Sequence, residues 1–114
     1  MKTVTFQVSD LKTVGGRFIK AWKTGKPQGS RIGFASVEVM FRVLTERRWE
    51  LLKAMAKQGP MSIRAAARRV SRDVKTVHGD VHALLGAGIL HRTSDGRIEF
   101  PFDAVHVDLM LRAA

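Results

Sequence analysis

Residues 62–85 read SIRAAARRVSRDVKTVHGDVHALL, and their reading decides the fold. Ser62 can cap a short helix whose small apolar positions, Ile63, Ala66, Ala67 and Val70, let a second helix approach closely, while Arg64, Arg68 and Arg69 point elsewhere. Ser71 is placed to cap a longer helix over 72–87. Val74, Val77, Val81, Leu84 and Leu85 mark the buried stripe of that helix.

Upstream, Thr45 can cap another helix, with Glu46 in its first turn and Trp49, Leu51, Leu52, Met55 and Ala56 at roughly helical spacing. Gly59-Pro60 should close it, because glycine takes the left-handed exit and proline cannot continue the hydrogen-bond ladder. Downstream, Gly86-Ala87-Gly88 ends the long helix. Ile89–Thr93 and Arg97–Phe100 then flank Ser94-Asp95-Gly96, and alternating apolar residues around an Asp-Gly pair predict a β-hairpin. From Leu44 to Phe100 the order is helix, turn, helix, turn, long helix, hairpin. That order predicts an α+β chain built on a winged helix-turn-helix, and such a motif binds double-stranded DNA.

At about 100° per residue, the positions opposite the valine stripe are Arg72, Thr76, Gly79 and Ala83, flanked by Lys75 and His82 on one side and Asp73 and Asp80 on the other. Arg72, Lys75 and Thr76 are therefore expected to contact bases or phosphates in the major groove, with Gly79 passing close to the duplex. Arg47, Arg48, Ser62, Arg64, Arg68, Arg69 and His82 are expected at phosphates, and Arg92 and Arg97 on the wing. A solvated helix face is the alternative at each position. Asp73 and Asp80 are expected to serve the helix dipole or ion pairs, since a carboxylate beside phosphate is costly unless paired.

The quoted stretch, followed by Gly88-Ile89-Leu90, resembles the winged-helix regulators broadly related to the MarR and ArsR groups. More narrowly it is similar to small prokaryotic regulators marked by Arg-Trp-Glu-Leu-Leu, Gly-Pro-x-Ser-Ile-Arg and Arg-Asp-Val-Lys-x-Val-His-x-Asp-Val. Those motifs fall at Arg48–Leu52, Gly59–Arg64 and Arg72–Val81. Some members of that group look like antitoxins encoded beside a small toxin, so the resemblance implies DNA-bound autorepression together with neutralisation of a toxin partner.

Charge supports a polyanionic partner, since twenty Lys and Arg against ten Asp and Glu leave the chain at +10. The excess is shared by residues 1–31 (+6) and 44–100 (+5), so a basic N-terminal arm could help hold a nucleic-acid backbone. Three regions are expected: a 1–31 extension, a 32–102 DNA-binding domain and a 103–114 terminal strand. Thr3–Val8 alternates like a strand, and Ser9-Asp10 opens a helix through Leu11, Val14, Phe18, Ile19 and Trp22. Thr24–Arg31 reads as a linker, while Phe34–Val43 fits a short helix or a strand. Val105, Val107, Leu109 and Leu111 recur at a period near two, and a strand there would bury them against a second chain or a partner. A homodimer is the expectation.

No apolar run approaches bilayer length and no secretory h-region opens the sequence, so a cytoplasmic protein without membrane contact is expected. Without cysteine there is no disulfide framework and no thiolate site. The glycine turns carry no dinucleotide or phosphate-loop pattern, and His106 with Asp108 has no nucleophile beside it. His78 and His82 share a helix side, but Asp80 projects about 200° from either, and two histidines alone need outside ligands to hold zinc. His78 is accordingly read as a helix-packing residue. No enzyme, metal or cofactor is expected. The competing reading is a protein-interaction module that grips a toxin through its flanks. RNA binding has less support, because the chain lacks tyrosine and paired strand aromatics for base stacking.

Overall fold

Why the chain bends sharply at Ser71 and resumes as a helix at Val74 is the local question on which the architecture turns. The structure, a computed structural model, describes residues 1–8 and 30–110. Helix α1 spans Val37–Val43, α2 Glu46–Met55, α3 Ile63–Val70 and α4 Val74–Gly86. Strands β1 (Thr3–Val8), β2 (Ser30–Phe34), β3 (His91–Arg92), β4 (Ile98–Glu99) and β5 (Ala104–Asp108) complete an α+β chain.

Three of the helices start where their hydroxyl caps predict or allow. The Ser36 hydroxyl accepts from the Val39 amide at 3.1 Å, Thr45 from Arg48 at 3.4 Å and Ser62 from Ala65 at 3.0 Å. Ser36 resolves the ambiguous 34–43 stretch. Its strand ends at Phe34 and its helix begins at Val37.

The cap of α4 is a correction, because Ser71 does not start that helix. Its backbone is left-handed (φ +54°), and it closes α3 by donating its amide to the Arg68 carbonyl at 3.2 Å. Asp73 is the cap instead, accepting from the Thr76 amide at 3.0 Å and the Thr76 hydroxyl at 2.6 Å. The Asp73 carboxylate satisfies two donors at the start of α4.

Buried Ala66 and Ala67 let α3 lie close to its neighbours, and Val77, Val81 and Leu84 form the inward stripe of α4. Val74, expected in that stripe, is 38% exposed and Leu85 is half-buried. After Gly88 (φ +78°) the chain enters the hairpin, whose register pairs His91 with Glu99 and Arg92 with Ile98. Ile98 also exchanges both backbone hydrogen bonds with Met61, at 2.8 and 2.9 Å. The hairpin is thus fastened to the segment between α2 and α3.

The flanks meet in a second sheet of order β2-β1-β5, all parallel, with Phe6 opposite Ile32 on one side and Val107 on the other. Val4 and Phe6 are fully buried in the same core as Leu51, Leu52, Met55 and Leu84. Phe6 stacks on Trp49 at 6.0 Å and meets Phe34 edge-on at 6.0 Å. So the strand at 104–108, expected against a second chain or a partner, pairs on one side with β1 of its own chain. Val105 is half-buried, while Val107 and Leu109 remain 39% and 38% exposed. Ser30 and Arg31, read as linker, belong to β2. The helix expected after Ser9, the linker over 24–29 and Leu111 lie outside the described residues. No helix among the described residues is long and apolar enough to cross a membrane.

Candidate nucleic-acid interface

Helix α4 has two polar sides with opposite fates. On the side facing α2, Asp80 accepts from Arg48 Nε at 3.1 Å and from an Arg72 guanidinium nitrogen at 3.0 Å. All three side chains are 15–21% exposed. One further guanidinium nitrogen of each arginine donates to backbone carbonyls. Arg48 donates to Val43 at 2.9 Å and Arg42 at 3.4 Å, which satisfies the open last turn of α1. Arg72 donates to the Arg47 carbonyl at 2.8 Å, at the start of α2. Its Nε is buried without a hydrogen-bond partner. Asp80 therefore ties α1, α2, the α3–α4 turn and α4 into one clamp.

That clamp corrects two expectations. Arg72 was expected at the bases and Arg48 at phosphate, yet both guanidinium groups are spent inside the fold. Asp80 meets its expectation as an ion-pair residue.

On the outward side stand Lys75, Thr76, His78, Gly79 and His82, all exposed. Thr76 is partly committed, since its hydroxyl donates to Asp73. This bond, then the Thr76 amide, holds the Asp73 carboxyl below its usual value of 3.8, so the cap is ionised at neutral pH. Gly79 has open space where a Cβ would stand. His78, expected to pack, is exposed beside His82.

The phosphate candidates on α2 and α3 also divide. Arg64 and Arg68 are exposed and line a cleft of about 190 Å³ with Ala67, Arg72, Asp73 and Val74, where α3 meets the start of α4. Arg47, Arg64 and Arg68 make no salt bridge among the described residues. Arg69 donates to the Gln58 side chain at 3.1 Å, and the Ser62 hydroxyl is engaged as a cap. On the hairpin, Arg92 donates to the Gly96 carbonyl at 3.1 Å and Arg97 pairs with Asp95 at 2.8 Å. The Thr93 hydroxyl also bonds Asp95, and this contact, ahead of Arg97, holds that carboxyl low. Both hairpin arginines stay exposed.

A family model, HVO_A0114, matches residues 43–107, more than half of the chain. The chain belongs to the HVO_A0114 family. No curated protein and no solved structure matches it. The span that matches HVO_A0114 holds Arg48, Arg72 and Asp80, the hairpin and most of β5, whereas β1 and β2 precede it. The three charged residues of the clamp and the outward face of α4 thus lie within the span that matches HVO_A0114, and the central strand of the larger sheet lies outside.

Proposed function

We propose that this chain binds duplex DNA as a winged helix-turn-helix protein and regulates transcription, with α4 entering the major groove. One observation carries the reading. Helices α3 and α4 are joined by a tight left-handed turn, and the following hairpin is hydrogen-bonded back to Met61, so helix and wing are held as one unit. Nothing among the described residues covers the outward side of α4, where Lys75, Thr76, Gly79 and His82 are exposed.

The clamp changes which residues do the reading. With Arg72 and Arg48 holding the helix in place, Lys75 and Thr76 face the bases, and Arg47, Arg64 and Arg68 supply phosphate contacts. Arg92 and Arg97 reach the neighbouring backbone from the wing. Repression by promoter occupancy is the simplest consequence. A second copy would give the two half-sites such proteins read, and the exposed edge with Val107 and Leu109 offers it a surface.

Selection of bound duplexes from a random pool, followed by fluorescence anisotropy at stepped salt, tests the reading. The expected result is an enriched site whose affinity falls steeply with salt. A chain that retains no duplex at low ionic strength ends it.

A further inference from the structure

Two of the four histidines of this chain face each other on the exposed middle of α4. The Nε2 atoms of His78 and His82 are 3.1 Å apart, and their ring centroids 4.2 Å. The centroids are so little farther apart than the nitrogens that the rings, tilted 41° to each other, stand alongside and not tip to tip. A tip-to-tip hydrogen bond would separate them more.

Two imidazoles so placed, one helical turn apart, have the spacing of a chelate. A metal ion bound at ~2.0–2.1 Å to each nitrogen, with an angle between right and tetrahedral, needs the nitrogens about 3 to 3.4 Å apart. Both imidazoles are exposed, so water or another donor can complete the coordination. Asp80 is no competitor and no ligand, being held by Arg48 and Arg72. We propose that His78 and His82 chelate a divalent transition-metal ion. Two neutral imidazoles suit copper(II), nickel(II) or zinc, with copper(II) bound most tightly, and give nothing to the oxygen-seeking magnesium or calcium. The site stands whether or not the chain binds duplex.

Copper(II) titrated into the full chain by calorimetry in a non-coordinating buffer, with electron paramagnetic resonance of the product, provides the test. One ion per chain with nitrogen hyperfine coupling is expected. His78→Ala and His82→Ala should each weaken binding by about tenfold or more, because the second imidazole acts at high effective concentration. Both side chains are exposed, so circular dichroism should be unchanged. The double variant His91→Ala/His106→Ala should bind within about twofold of the parent, since each is a single histidine on a separate strand. Equal losses in both sets of variants, or binding indifferent to His78 and His82, would overturn the site.

Discussion

Arg48 and Arg72 share their chemistry with Arg64 and Arg68, and the molecule uses the two pairs for opposite ends. The first pair is folded inward onto Asp80 and onto the carbonyls of Val43 and Arg47. The second pair stands exposed over the cleft where α4 begins. A count of basic residues cannot separate these roles. What separates them is whether a carboxylate and a backbone carbonyl lie within reach, and for Arg48 and Arg72 they do.

The hardest blow to that contrast should come from Asp80→Ala. It would leave two guanidinium groups largely buried without a counter-ion, and breaking a fully buried pair costs about 3–5 kcal/mol. With 15–21% of each side chain exposed, a loss of about 2–3 kcal/mol in urea unfolding is expected. A loss under about 0.5 kcal/mol would make the clamp an ordinary surface bridge. Arg72→Lys comes next. Charge is kept but the fork that spans Asp80 and the Arg47 carbonyl is lost, so about 1 kcal/mol should go, near 4 °C in Tm.

The helices and the hairpin were legible because their causes are local. Thr45 and Ser62 cap through contacts three residues away, Gly88 and Gly96 take positive φ, and the valines of α4 recur at helical spacing. What the sequence hid is non-local. Nothing in Thr3–Val8 says that its neighbours are residues 30–34 and 104–108, both parallel, since parallel pairing is set by long crossovers and not by turn chemistry. The candidate site was half legible for the same reason. Lys75, Thr76 and Gly79 follow from helix periodicity, whereas the commitment of Arg72 depends on Arg47 and Asp80, contributed by two other turns of chain. With Asp73 and not Ser71 as the cap, Arg72 precedes α4 and does not belong to its outward face.

The exposed pair should respond in the opposite way to the clamp. Arg64→Ala and Arg68→Ala should leave stability within about 0.5 kcal/mol. Each should weaken duplex binding alike on selected and random sequence, and lower the salt slope by about 1. If either lost stability as Asp80→Ala does, the division between inner and outer arginines would collapse.

The smallest expected effect tests the same boundary at Asp73, which caps α4 between the two sets. Its folded pKa lies below the usual 3.8, chiefly through the Thr76 hydroxyl and then the Thr76 amide. A carboxyl depressed on folding adds stability above its unfolded value and loses it as pH falls through the folded one. The contribution should therefore be intact at neutral pH and fade below about pH 4. Asp73→Asn keeps a good capping group that does not titrate. Its urea midpoint should match the parent near neutrality and fall less steeply in acid. Thr76→Val should remove the hydroxyl donor and move the acid loss to higher pH. Identical acid limbs in parent and Asp73→Asn would mean that the cap is protonated without consequence for α4, and that the inward clamp alone fixes where the helix begins.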